Sequence, residues 1–395
     1  MKKLIINILL FVGAYSASAQ NEYEQVLQQI ETNSATLNAL RLEAEAKKAN
    51  NRTGIYLSNP EIEFNYLWGE PAETGNRKDI SIKQSFDFPA VYASKNKISK
   101  LENSNVELEY RSERINLLLS ARQVCIQLIY YKILAKEYEV RLQNAKDIAA
   151  AYRIKLDKGE TNAIENNKAQ LYLNSIENEI KNIETEQNSL LSELVRLNGG
   201  KEILFSVDNF SDKQLPANFE QWYAKAEEKN PLLQYVKGQI AISQQQIRLN
   251  KSLALPKFTA GYMREQVAGQ RYEGVSLGIS IPLRENKNRV KQAKIQLKAS
   301  TATFEDRRIQ FYGLLQNLYD KAVDLQQILQ KYQTSLSEYS NERLLKKALD
   351  AGEISLLNYL LESQYYYELF NKMLETERDY ELTVAKLHAL EQDRN

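Results

Sequence analysis

The chain has 395 residues, with 52 Lys plus Arg against 51 Asp plus Glu, and only one His and one Cys. That charge balance leaves no electrostatic footprint for nucleic acid, and the single His and Cys, residues on which zinc sites, thiol redox pairs and Cys/His nucleophile systems all draw, exclude a structural zinc site or disulfide within one chain. Apolar residues at 43% beside 26% charged suit neither a disordered chain nor a helical membrane protein, and 14 Gly with 7 Pro, about half the usual share of turn formers, imply long uninterrupted elements.

Lys2 and Lys3 precede the apolar run Leu4 to Val12, and Ala17-Ser18-Ala19 then supplies small residues before Gln20. This is the pattern of a cleaved secretory signal over 1–19. At about 1.5 Å per residue the run crosses under half of a ~30 Å hydrocarbon core, so it is too short for a membrane anchor. No Cys follows the small residues to carry a lipid. Beyond this segment no stretch is expected to approach the roughly 20 apolar residues of a spanning helix.

A helical pattern from about Glu22 to Asn51 comes next, and alternation then takes over. Ile62, Phe64, Tyr66 and Trp68 fall on one face of a strand, with Glu61, Glu63 and Asn65 on the other. A second strand sets Ile80, Ile82, Phe86 and Phe88 against Asp79, Ser81, Lys83, Ser85 and Asp87, with Gln84 as the exception. Gly69 to Lys78 is the loop between them. From Pro89 to Lys158 there is no Gly and no further Pro, and Ile115, Leu118, Leu119, Arg122 and Ile126 recur at helical spacing. One continuous helix of this length reaches on the order of 100 Å. In it the basic run Lys95 to Lys100 reads as a solvated face, and Cys125, between Val124 and Ile126, as small core filler. After Gly159 a partner helix carries Ile176, Ile180, Ile183, Gln187, Leu190, Leu194 and Leu197, alternately four and three apart, which is a heptad seam.

Asn198-Gly199-Gly200 to Pro216 reads as a connector in which Ile203-Leu204-Phe205 forms a short strand. The order of elements then repeats. Asn218 to Leu253 is helical. Phe258, Ala260 and Tyr262 alternate with Lys257, Thr259 and Gly261, and Val275, Leu277, Ile279 and Ile281 alternate with Gly274, Ser276, Gly278 and Ser280, with Arg264 to Glu273 as the loop between. Leu283 to Asp350 and Ile354 to about Glu391 make the second long helical pair. The Tyr365-Tyr366-Tyr367 run covers several faces of the last helix and reads as interhelical packing, and His388 as a dipole-facing or surface residue near its end.

The two halves align. Leu156-Asp157-Lys158-Gly159-Glu160 matches Leu349-Asp350-Ala351-Gly352-Glu353 at an offset of 193 residues, the distance from Gly159 to Gly352, and Phe88-Pro89 falls on Ile281-Pro282 at the same offset. The chain therefore divides into a signal at 1–19, a first repeat at 20–198, a connector at 199–217 and a second repeat at 218–395. Gly159 and Gly352 suit the left-handed residue that ends a helix, and Asn162 and Ser355 are matching N-caps for the returning helices.

Four strands with one greasy face leave two unpaired edges, which lipid does not tolerate. Three copies give twelve strands and room for a lumen, whereas two give a barrel filled by its own side chains. An ordinary soluble sheet with one face on a core shows the same alternation, but long hairpins offer little compact core for such a sheet to cover. The fold class is thus mainly α with a membrane β-barrel portion, four strands per chain, in a trimer.

The duplicated order of elements, Asn230-Pro231 before the second strand pair, Phe88-Pro89 and Ile281-Pro282 after each pair, and the Gly159 and Gly352 turns together resemble the TolC family of outer-membrane efflux channels over the whole mature chain. The compact length and the Asn59-Pro60-Glu61 entry look most like its heavy-metal-efflux branch. The resemblance implies a trimeric barrel in outer-membrane lipid and a periplasmic helical tunnel. It also implies a periplasmic adaptor and an inner-membrane pump as partners. The tips that would meet the adaptor hold Asp157, Gly159, Glu160, Asp350, Gly352 and Glu353. The lipid-facing set comprises Phe64, Tyr66, Trp68, Phe86, Leu277 and Ile279. Acidic pore rings of some relatives fall here on Asn358 and Leu361, neither acidic, with Glu362 next to them as the remaining constriction candidate.

No cofactor, metal site or catalytic residue is expected, and the rival reading is a periplasmic coiled-coil adaptor or scaffold. A carboxylate-rich two-metal bundle needs a Glu-x-x-His unit from two helices, and Ala385 stands three residues before the one His.

Overall fold

The structure is a computed structural model that describes residues 23–210, 215–339 and 342–391. The expected signal segment and its cleavage point lie outside the described residues. In chain order the elements are α1 (23–33), α2 (Ala35–Asn50), β1 (Glu61–Leu67), β2 (Arg77–Phe86), α3 (Pro89–Asp157), α4 (Ala163–Leu197), α5 (Phe219–Lys229), α6 (Pro231–Ser252), β3 (Lys257–Val267), β4 (Gln270–Ser280), α7 (Arg289–Tyr339), α8 (Glu342–Asp350) and α9 (Leu356–Glu391). The chain forms two compact units, each drawing on both halves of the sequence: one of residues up to 39 with 113–229 and 311–395, the other of 40–112 with 230–310.

The unit of 40–112 and 230–310 holds one antiparallel sheet in the order β1-β2-β3-β4, so β1 and β4 each keep a free edge. The second hairpin corrects the expected Arg264 to Glu273 loop. The ladder continues to Val267↔Gln270, and only Ala268-Gly269 turns the chain. Both of those residues have positive φ, 49° and 84°, which matches the twist of a two-residue hairpin. Ala is a poor left-handed residue, so the turn carries no Asn-Gly signal in the sequence. In the same unit Val91 and Ile98 of α3 pack on Leu249 of α6, and Asn105 Nδ2 donates to the Tyr235 carbonyl at 3.2 Å. The helix after β4 begins six residues later than expected, at Arg289 instead of Leu283. Asn288 takes φ 68° before it, and Asn286 Nδ2 ties the intervening loop to the Leu253 carbonyl at 2.5 Å. Pro89 opens its helix at once; Pro282 does not, although the two align in sequence.

The other unit is helical. Val26, Leu27 and Ile30 of α1, Ala121, Cys125 and Leu128 of α3, and Leu194 and Leu197 of α4 form one core. The expected strand at Ile203-Leu204-Phe205 is absent. Its alternation is real, with Ile203, Phe205 and Val207 buried and Leu204 91% exposed. The segment lies extended against that core, and Lys132 Nζ donates to the Phe205 and Val207 carbonyls at 2.5 and 3.3 Å. A lysine takes the place of a neighbouring strand. The heptad seam of α4 is buried at Ile176, Ile183, Leu194 and Leu197, and Gln187 Nε2 donates to the Tyr131 carbonyl at 3.0 Å. α3 is continuous for 69 residues, as its lack of Gly and internal Pro implies. It also contains an 18-residue window of mean hydropathy 1.2, which corrects the expectation that no later stretch approaches a membrane span by composition. Its apolar residues Ala121, Cys125, Leu128 and Ile129 are core of this unit.

Two expected single helices are broken in two. Ser34 interrupts the first, its Oγ accepting from the Leu37 N–H at 3.4 Å. Asn230 interrupts the second. Its Oδ1 caps the Leu233 N–H at 3.1 Å and Pro231 takes the first helical position, where its missing N–H is harmless.

Candidate functional site: a membrane face and two hairpin tips

The register settles which side chains share a face, because directly paired residues of an antiparallel ladder point the same way. Ile62↔Ile82↔Tyr262↔Val275 forms the central row, flanked by Phe64↔Ile80 on one side and by Gln84↔Ala260↔Leu277 and Phe86↔Phe258↔Ile279 on the other. All of the predicted lipid-facing residues within the strands, Phe64, Tyr66, Phe86, Leu277 and Ile279, lie on this one face. Trp68, just past β1, packs edge-on to Tyr66 with ring centroids 5.4 Å apart. The face is uncovered: Ile62 is 75% exposed, Phe64 62%, Val275 83% and Leu277 84%. Among the described residues no core covers this face, as an ordinary sheet packed on its own chain would require.

The opposite face carries the polar set. Lys83 Nζ pairs with Glu63 Oε2 at 3.1 Å, and Ser81 lies beside them. Here Gly261, Gly274, Ser276 and Gly278 keep the surface of β3 and β4 shallow. A Cβ on Gly261 would stand 2.5 Å from the Ile82 carbonyl oxygen, so this position requires glycine. β2, β3 and β4 have 10, 11 and 11 residues, the length of a tilted membrane-spanning strand.

The two tips are built alike. Gly159 has φ 74° and Gly352 φ 75°. At the first tip the Glu160 N–H reaches the Lys155 carbonyl at 2.8 Å, and at the second the Glu353 N–H reaches the Ala348 carbonyl at 2.9 Å. Each is the six-to-one bond of a Schellman turn. Asn162 Oδ1 then caps the Glu165 N–H at 3.0 Å, and Ser355 Oγ caps the Asn358 N–H at 3.2 Å. Both hairpins belong to the helical unit, where Ile148 and Ala169 of the first pack with Leu349, Leu356 and Tyr359 of the second. Lys346 Nζ joins them further, donating to Asn144 Oδ1 at 3.0 Å. The structure therefore packs the end of the second hairpin against the first, with Leu349 and Leu356 at the level of Ile148 and Ala169. Asp157, Glu160, Asp350 and Glu353 are exposed around them. Asn358, Leu361 and Glu362 all lie on the exposed side of α9, with Tyr359 and Ser363 on its buried side.

One residue was not found from sequence. Arg141 of α3 is 2% exposed and sits over the rings of Tyr367 at 4.1 Å and Tyr138 at 4.6 Å. Its Nε donates to Glu137 Oε1 and an Nη to Asn371 Oδ1, both at 3.0 Å. Glu137 and Tyr138 at helical spacing are legible locally, but the α9 partners stand about 230 positions away. The Tyr365-Tyr366-Tyr367 run packs between helices through Tyr367, as its composition implies. In the same unit burial pushes the Cys125 thiol up to about 12, which marks it as inert core.

No protein-family model and no curated protein matches the sequence. Solved structures do match. The Campylobacter jejuni CmeC outer membrane channel superposes with a TM-score of 0.78 at 14% identity, covering 93% of this chain and 85% of that one. The Vibrio cholerae outer membrane protein VceC gives 0.76 at 12%, covering 94% and 96%. CusC, described with its transmembrane channel formation, gives 0.72 at 17%, covering 94% and 92%. The chain has the fold of these outer-membrane channels. At such identities the shared pattern is one of periodicity, caps and turns, which is why the resemblance to the TolC family could be carried by a handful of residues.

Proposed function

We propose that the protein is the outer-membrane channel component of a tripartite efflux system, passively conducting solutes expelled by an inner-membrane pump. The observation that carries this reading is the uncovered apolar face of a four-stranded sheet with two free edges and strands of spanning length. Water stabilises neither feature; lipid and closure by further copies stabilise both. Three copies supply twelve strands, enough to enclose a lumen. The protein contributes shape and field to a pore, with no bond made or broken. The tips around Gly159 and Gly352 are the surface for a periplasmic adaptor, and Asn358, Leu361 and Glu362 line a constriction.

Outer-membrane fractionation, heat-modifiable migration and native mass spectrometry test this. The expected result is a detergent-stable trimer in the outer-membrane fraction. A monodisperse monomer that stays folded without detergent refutes the channel and returns the periplasmic scaffold.

A further inference from the structure

The start of α7 carries an unbalanced block of positive charge. Between positions 284 and 298 stand Arg284, Lys287, Arg289, Lys291, Lys294 and Lys298, against Glu285 alone. None of them joins an ion pair among the described residues. Some other cations of the same unit are matched, as in Lys47 with Glu109 at 2.9 Å, Lys48 with Glu107 at 2.6 Å and Lys83 with Glu63 at 3.1 Å, and those without an ion pair, such as Lys237 and Arg264, do not form so long a run without acidic residues. Lys291, Lys294 and Lys298 lie within about 60° of one another around the helix, all exposed, while Ala293 and Ser300 on the far side are buried. Like charges at three- and four-residue spacing destabilise a helix, and the first turn of α7 has no acidic residue to complement its dipole. The arrangement is locally unfavourable unless an anionic surface meets it.

The apolar face of β4 runs directly into this block. Ile279, Ile281 and Leu283 are 60%, 61% and 89% exposed, and Lys287 and Lys291 follow within two short steps of chain. Apolar side chains giving way to unpaired cations is the profile of a hydrocarbon boundary followed by phosphates. We propose that this basic block docks on anionic phospholipid headgroups of the periplasmic leaflet and fixes the depth of the barrel in the membrane. The inference rests on the outer-membrane reading above. It also assigns a gradient: Lys298 stands about 10 Å beyond Lys291 along the helix, about one Debye length at physiological salt, so its contribution is the weakest.

The test is native mass spectrometry of the full-length detergent-purified assembly, titrated with phosphatidylglycerol and, in parallel, phosphatidylethanolamine. The wild type should prefer phosphatidylglycerol roughly thirty-fold, the effect expected of about two cations at headgroup depth. Lys287→Gln/Lys291→Gln/Lys294→Gln/Lys298→Gln should lose that preference without changing the oligomer, the corresponding four-Arg variant should keep it, and Lys298→Gln alone should change it least. Equal binding of both lipids by the wild type overturns the proposal. So does a four-Gln variant that keeps its lipid preference but changes the anion-to-cation permeability ratio in planar bilayers, since the lysines would then face the lumen. Failure of the wild type to enter membranes at all would instead refute the channel reading, and this inference with it.

Discussion

Val275 stands at the centre of β4, in the row Ile62↔Ile82↔Tyr262↔Val275, and is 83% exposed in the single chain. In water, replacing so exposed a residue by Arg changes stability little, within about 0.5 kcal/mol. In lipid the same change places a guanidinium near the bilayer midplane, at a cost of about 2–4 kcal/mol per chain. By the tenfold-per-1.4 kcal/mol conversion that is roughly 30- to 1000-fold in the folding equilibrium of each protomer. Gly274→Arg is the matched control: it lies one residue away on the polar face, and a Cβ there meets nothing within 4 Å. The assay is urea titration of protein folded into lipid vesicles, read by heat-modifiable migration. Val275→Arg should lower the midpoint strongly and Gly274→Arg only slightly. The reverse order would show that the faces are inverted, and equal, small effects would show that no lipid covers this sheet.

Gly159→Val and Gly352→Val should each cost about 1–2 kcal/mol, from the left-handed backbone alone, because a Cβ at either position meets nothing within 4 Å. The double variant should still assemble in the outer membrane but lose efflux and adaptor crosslinking; normal values of both would show that the turns are only structural. Arg141→Ala leaves Glu137 without its buried partner and should lower unfolding stability by about 3–5 kcal/mol, and Arg141→Lys should not restore it, since an ammonium cannot reproduce the planar contacts with Tyr367 and Tyr138; chemical denaturation of the helical signal measures both. The Cys125 thiol, held up to about 12 by burial, binds its proton more tightly in the folded state, so its contribution is intact below the unfolded value near 9 and is lost as pH rises from there towards 12. At pH 10 the loss is about 1.4 kcal/mol, and Cys125→Ala should flatten that part of the stability profile.

Much of the fold is written in short-range pattern. The absence of Gly and Pro from Pro89 to Asp157 dictates one long helix, Gly159 and Gly352 mark where helices must end, Asn162 and Ser355 where the next begin, and two-residue alternation separates Phe64, Leu277 and Ile279 from Glu63 and Ser276. Each depends on backbone sterics or on neighbours within about four residues, so one chain read linearly suffices. What the sequence left open depends on partners far away in it. Ile203-Leu204-Phe205 alternates like a strand, but only the tertiary structure shows Lys132 filling the place of the missing neighbour. The pairing of β2 with β3 joins residues some 180 positions apart, as in Ile82↔Tyr262, and it alone makes one continuous apolar face out of two hairpins. The same holds for Arg141 and Tyr367, and for the packing of Leu349 and Leu356 on Ile148 and Ala169 between the two hairpins. Local periodicity assigns a side chain to a face, whereas what meets that face is decided by long-range packing, which no window of sequence contains.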